Sequence, residues 1–233
     1  MWLALPHTGT LDDVLAAFAD HVKANPSDDF IIGGYWNTAP FDEKGPTKEA
    51  RDAVVPDRTA MLYDWSGHSQ WMNSKAMKVL GATRYTPDPV PGLSFLYRNE
   101  DGNPTGWAKE FAVCQQIQAL GLGGQFNADK LLGLLTYLRS MGVTILDDAG
   151  NSGMGGGIYE AVAELDRDGR LPIRYEGSYH VILPSQFDQA LDTLKRWQAD
   201  YGGGRLNINT LKIHFDGMSE IGTSGVIRPF IYR

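Results

Sequence analysis

Cysteine is almost missing from this chain: Cys114 is the only one in 233 residues. One thiol cannot close an internal disulfide and cannot build a cysteine-based zinc site, so a reducing, cytoplasmic setting is the default. Basic charge is also scarce, with 21 lysines and arginines against 28 acidic residues and a formal net charge of -7. Nucleic acids are held by clustered Lys and Arg, and no such cluster occurs, so a nucleic-acid partner is not expected. No apolar run approaches the roughly 20 residues that a membrane span takes. The opening MWLALPHTGT has no basic segment before its short apolar stretch, unlike a signal peptide. What remains is 42% hydrophobic and 21% charged, a globular composition with enough chain for one large or two small domains.

Several catalytic signatures are absent too. GNSGM and GTSGV lack the closing glycine of a nucleophile elbow. GLGGQF and GMGGGI lack the third glycine of a dinucleotide-binding turn. Neither H-x-H nor H-E-x-x-H occurs, so a complete histidine-rich zinc site cannot be assembled from the obvious motifs.

Periodic segments are what the chain does have. TLDDVLAAFADHVKANP sets Leu11, Val14, Leu15, Phe18 and Val22 at helical spacing, with Thr10 as N-cap, Asp13 three residues on and Asn25-Pro26 as the stop. DFIIGGYW and TAMLYDW predict short strands, and LSFLYRNEDGNPTGW predicts a hairpin turning at Asp101-Gly102. Glycines and prolines between residues 81 and 106 suit loops or a small β insertion. From about residue 127 helix and strand alternate. Asn127 caps ADKLLGLLTYLRSMG, VTILDD is a strand, and GIYEAVAELDRDG is a helix ended by Gly169. LPIRYEGSYHV is a strand, Ser185 opens the helix QFDQALDTLKRWQADY, and INTLKIHFDG is a third strand. Such alternation implies right-handed crossovers and a parallel sheet covered on both faces.

Strand chemistry refines this. In LKIHFDG, Leu211, Ile213 and Phe215 share one face and Lys212, His214 and Asp216 the other, while Arg174, Glu176, Ser178 and His180 share a face of their strand. Polar faces reaching the carboxyl ends of parallel strands fit an arc of a (β/α)8 barrel with its site at that end. The expected organisation is α/β. Residues 1–126 form the N-terminal part of the barrel with a substrate-side β-hairpin insertion, and residues 127–233 form consecutive parallel β/α units.

Candidate chemistry centres on Lys212, His214 and Asp216. A lysine buried beside a carboxylate and an imidazole has an unusual proton affinity and can act as a base, or take up carbon dioxide as a metal-bridging carbamate. The structural alternative is a buried Lys212–Asp216 ion pair with His214 merely hydrogen-bonded. His68 would meet substrate or metal, or be a satisfied structural histidine. Glu110 would be a general base, or would complement a helix dipole. Asp147 and Asp148 would bind metal or cap a turn. His180 ends its strand, from where it could reach the lumen, though one histidine there proves little, whereas His7 and His21 have no evident role.

Five segments in order, DRTAMLYDWSGHSQWMNSKAMKVLGA, TPDP, RNEDGNPTGWAKE, GVTILDDA and LKIHFDG with GTSGVIRPF, resemble amidohydrolase family 3. The branch is that of the N-substituted formamide deformylases and YtcJ-like relatives. The resemblance implies a metal-bearing TIM-type (β/α)8 barrel beside a small β-sandwich, hydrolysing C–N bonds of amides with a divalent metal, zinc by expectation. It also implies an internal fragment, with the strands carrying H-x-H, two later histidines and an aspartate lying outside residues 1–233. Lys212 matches the family's fourth-strand lysine and would be a metal ligand if carboxylated. Glu110 matches the PTG…E segment and is the second catalytic candidate. His68, Trp71 and Asn73 match GHS…N on the substrate side, Trp71 lining an apolar wall, and His214 is the fourth substrate-binding candidate. Partners would be a small amide-type substrate and, through open barrel edges, a second copy of the chain. The rival reading is a non-catalytic α/β domain that binds a small molecule or a partner protein.

Overall fold

The computed structural model describes residues 3–6, 8–38, 41, 45–110, 127–150, 156–219 and 223–228. His7 and Cys114 lie outside them. The chain divides into two compact units, residues 1–117 with 216–233, and residues 118–215. Residues 216–233 thus belong with the first unit, not with the parallel β/α units that precede them in sequence.

The first unit is built on a six-stranded sheet of order β1-β2-β3-β4-β6-β5. Its strands are β1 (Leu3–Ala4), β2 (Phe30–Trp36), β3 (Thr59–Asp64), β4 (Ser69–Met72), β5 (Phe95–Arg98) and β6 (Pro104–Lys109). The first three run parallel and the rest antiparallel. Helix α1 (Leu11–Ala24) links β1 to β2 and starts at the expected capping box, in which Asp13 N–H donates to Thr10 and Thr10 N–H to Asp13. Its Val14 and Phe18 are buried beside Trp36, Leu62 and Trp71. Gly33 is required where β1 meets β2, because a Cβ there would lie 2.3 Å from the Leu3 carbonyl oxygen. The hairpin of β5 and β6 turns at Asp101-Gly102 as expected, with Gly102 N–H donating to Asn99 O at 2.9 Å. Two short helices, α2 (Lys48–Asp52) and α3 (Ser74–Val79), complete the unit.

Helix α2 carries the least expected core residue. Arg51 is fully buried, its guanidinium 4.0 Å from the Phe18 ring and 4.8 Å from the Trp71 ring, and among the described residues none of its three nitrogens has a hydrogen-bond partner. Burial pulls its pKa down to about 9, only partly countered by Asp52. Cation–π contact offsets a fraction of the desolvation cost. Arg51→Met should therefore stabilise the protein by ~1–3 kcal/mol at pH 7, since methionine fills the same channel without a charge. A base whose folded pKa lies below its unfolded value binds fewer protons when folded, so stability rises with pH above about 9. The advantage of Arg51→Met should accordingly shrink between pH 9 and 11 in urea unfolding. A variant less stable than the parent at pH 7 would contradict this account.

The second unit holds three parallel strands, β7 (Ile145–Asp147), β8 (Arg174–Val181) and β9 (Leu206–Ile213), in that order. Helices α4 (Ala128–Ser140), α5 (Gly157–Arg167) and α6 (Ala190–Tyr201) accompany them. The core gathers Leu135, Tyr159, Leu165, Trp197 and Leu206. Two local expectations are corrected. Ser185 does not open the third helix: the Gln186 side chain accepts from Ile182 N–H and Leu183 N–H and folds Pro184–Gln186 into a separate 3-10 turn, so α6 begins at Ala190. Nor is the end of β9 buried. Lys212 is exposed, as are Ile213 and, at 92%, Phe215, because β9 is an edge of this sheet. Among the described residues no helix is long and apolar enough to cross a membrane.

Candidate functional site

In the first unit the sequence DWSGHS closes the tight connection between β3 and β4, and Asp64 is its hub. The buried Asp64 carboxylate accepts from Ser66 Oγ at 2.8 Å and from Ser69 N–H at 3.1 Å, and Ser66 Oγ in turn accepts from His68 N–H at 3.1 Å. Burial raises the Asp64 pKa against these stabilising hydrogen bonds. The turn delivers His68 to the start of β4, which pairs with β6 in the register Ser69 to Lys109. The ladder continues one step further, with Glu110 N–H donating to His68 O at 2.7 Å.

That step sets the two expected residues side by side. His68 Nδ1 lies 2.7 Å from Glu110 Oε2, and the Glu110 side chain is 4% exposed. Its other oxygen accepts from Thr223 Oγ1, itself held by Met218 N–H at 2.9 Å. Glu110 adopts φ +62, a left-handed conformation that costs a non-glycine residue on the order of 1 kcal/mol. Strain of this kind persists where surrounding contacts over-determine a side chain's position, and here they determine that of a buried carboxylate. Beside it Lys109 is buried over Tyr97 and Trp107, whose rings stack at 3.7 Å. Burial lowers the Lys109 pKa, opposed by the charges of Glu110 and Asp64. Asp64, Lys109 and Thr223 were not singled out in the sequence. The ordered turn residues of DWSGHS were the one available signal for Asp64.

Trp71 and Asn73 take framework positions instead of pocket positions. Trp71 is fully buried, donates from Nε1 to Thr47 O at 2.7 Å, and packs edge-on against Trp36 and Phe41. Asn73 caps α3 and spends its amide on four backbone partners. Oδ1 accepts from Ala60 and Ala76 N–H, and Nδ2 donates to Val55 and Arg58 O. Nothing on that amide remains to recognise a substrate.

In the second unit the parallel register places His180 of β8 opposite Lys212 of β9. His214 follows the end of β9, its N–H donating to Val181 O at 2.9 Å and its ring centroid 5.9 Å from that of His180. His180 is 6% exposed, and among the described residues neither of its ring nitrogens has a hydrogen-bond partner. Burial, then the charges of His214 and Lys212, pull its pKa down to about 4, so the ring is neutral at physiological pH. The backbone passes close to both side chains at Gly150, φ +108, where a Cβ would fall 2.9 Å from His180 Nδ1 and from Lys212 Cγ. Below them the Asp148 carboxylate accepts from Gly150 N–H at 3.2 Å and from the hydroxyls of Tyr159 and Tyr175 at 3.1 and 3.3 Å. Burial raises the Asp148 pKa. Asp148 is thus committed to positioning, and Asp147 is exposed on β7.

Two bare nitrogens on a buried neutral imidazole call for a partner. A divalent cation fits that donor chemistry, and imidazole suits zinc among others. Lys212 would join it only as a carbamate, since an ammonium offers no lone pair.

Known proteins resemble this chain in sequence and in fold. The chain is 29% identical over 225 residues to the exoenzymes regulatory protein AepA of Pectobacterium carotovorum subsp. carotovorum, covering 95% of this chain and 48% of that protein. It is 31% identical over 109 residues to the N-substituted formamide deformylase of Arthrobacter pascens, covering 46% of this chain and 20% of that enzyme. In fold it is similar to an uncharacterized metal-dependent hydrolase from Pyrococcus horikoshii OT3, with a TM-score of 0.56, 16% identity, and 95% of this chain and 40% of that one covered. The chain spans about half the length of AepA and less of the deformylase. A family model matches residues 1–231, and by that match the chain belongs to the amidohydrolase family.

Proposed function

We propose that this chain is part of a metal-dependent hydrolase that cleaves non-peptide C–N bonds of small amides, and that its three parallel strands are an arc of a (β/α)8 barrel. The observation that carries the metal reading is His180, a buried neutral imidazole whose two nitrogens have no partner among the described residues, beside Lys212. In this reading His180, and Lys212 once carboxylated, hold a divalent cation, zinc by preference, with His214 near the substrate. When bound, the metal supplies a water of lowered pKa and polarises the amide carbonyl.

The first unit holds a proton-handling pair of its own. Glu110, accepting from His68 Nδ1, fixes the imidazole in the tautomer whose Nε2 carries the lone pair. Nε2 is then the atom of this pair that can take or give a proton. Thr223 holds the second carboxylate oxygen, so Glu110 cannot swing away from His68. Asp64 and Ser66 anchor the turn from below. Lone Cys114 and small-molecule chemistry suit a cytoplasmic setting.

The test uses the protein encoded by the whole reading frame that contains this chain, assayed for amine release from N-formyl and N-acetyl amines. Activity should fall at least 100-fold after chelation and return with zinc. Metal-replete protein that releases no amine from any such substrate would instead favour a binding domain, and activity indifferent to chelator would remove the metal from the reaction.

A further inference from the structure

A cleft of about 750 Å³ opens on the first unit between α2, α3 and the β5–β6 hairpin, lined entirely by residues that the catalytic reading does not use. Three cationic side chains line it, Lys48, Lys78 and Arg84, and no Asp or Glu among the described residues does. In a chain with 28 acidic and 21 basic residues this is a local inversion of charge. A concave surface of one sign focuses its field and raises the local concentration of the opposite ion.

The cations are held in different ways. Arg84 sits on a turn knit by Thr83 N–H to Thr86 Oγ1 at 2.8 Å, and its guanidinium donates to the Asp101 carbonyl oxygen, with no carboxylate paired to it among the described residues. Lys78 is exposed and has no ion-pair partner among the described residues. Lys48 donates to Pro104 O at 3.0 Å and pairs with the exposed Glu49 at 2.8 Å, so it is partly neutralised. The arrangement leaves roughly two positive charges, the amount a phosphate monoester carries in negative charge near neutral pH. Behind the charges the floor is apolar at Met77, Ala82 and Pro104, and at the rim the Tyr85 ring is 85% exposed. The volume falls within the range of small-molecule sites.

We infer that this cleft binds a small organic phosphate, its phosphate on Lys78 and Arg84 and its organic part against Tyr85 and the apolar floor. The inference is independent of the proposed hydrolysis.

Isothermal titration of the full chain at low salt with inorganic phosphate, pyrophosphate and AMP tests it. AMP should bind with a submillimolar Kd, more tightly than inorganic phosphate, and weaken as salt rises. Lys78→Glu with Arg84→Glu should weaken AMP at least tenfold, while Lys23→Glu on the exposed face of α1 should leave it unchanged. Tyr85→Ala should weaken AMP but not pyrophosphate. Thermal unfolding of each variant reports that it is folded, and Arg84→Gln gives a milder substitution if the double variant is not. Absence of AMP binding to the parent, equal loss with Lys23→Glu, or no loss with the cleft variants would overturn the proposal. Binding of inorganic phosphate as tight as AMP would reject the organic part of the ligand.

Discussion

Trp71→Ala should cost about 3–5 kcal/mol of stability, the range for truncating a fully buried large aromatic. Such a loss is a sizeable part of the ~5–15 kcal/mol that holds a typical domain together. Three losses combine. The cavity opens against Trp36 and Phe41, whose rings meet Trp71 edge-on at 6.0 and 5.1 Å. The Thr47 carbonyl loses the indole N–H donor. Arg51 loses one of the two rings that accommodate its guanidinium. Trp71→Phe should recover most of the apolar volume but not the hydrogen bond, and so cost about 1–2 kcal/mol. Equilibrium urea unfolding followed by circular dichroism gives both values. An unchanged midpoint in Trp71→Ala, accompanied by a raised KM, would return Trp71 to the wall of a substrate pocket.

Glu110→Gln should lower kcat of the complete enzyme by ~10²–10³-fold with KM nearly unchanged, as expected when a positioned proton-handling pair is broken. Glutamine keeps the size and the strained backbone but offers one carbonyl oxygen where the carboxylate offers two acceptors. It cannot take hydrogen bonds from His68 Nδ1 and Thr223 Oγ1 together without presenting an N–H to one of them. The His68 tautomer is then no longer imposed. His68→Ala should lose about as much, and the double variant little more, because residues that act as a unit are not additive. Thr223→Val should lose less than either, because only the second anchor of the carboxylate is removed. Steady-state kinetics on the best amide substrate decides. Full additivity of the His68 and Glu110 losses would show that they act separately. A Glu110→Gln enzyme with normal kcat would remove Glu110 from the catalytic reading.

Much of the local structure was legible in the residues. The α1 capping box, the Asn127 cap of α4, the turn at Asp101-Gly102 and the strands around Phe30–Trp36 and Thr59–Asp64 are all where the spacing predicts them. These signals act within about four residues, through hydrogen bonds and side-chain periodicity that a neighbouring segment does not have to supply. The exposure of Lys212 was not legible, because alternation tells which face a residue shares, not whether that face is covered; β9 lies at a sheet edge.

By itself, then, the sequence determined the element types, a mixed α/β class and which residue types were chemically suited to a site. Tertiary structure alone decided which of them meet. His68 and Glu110 are 42 positions apart, and Glu110 and Thr223 are 113 apart. His180 faces Lys212 only through the pairing of β8 with β9. Asn73 became a fully occupied cap and Trp71 a core ring for the same reason. Burial and long-range hydrogen bonding depend on what the rest of the chain packs against each side chain, and no short window of sequence contains that information.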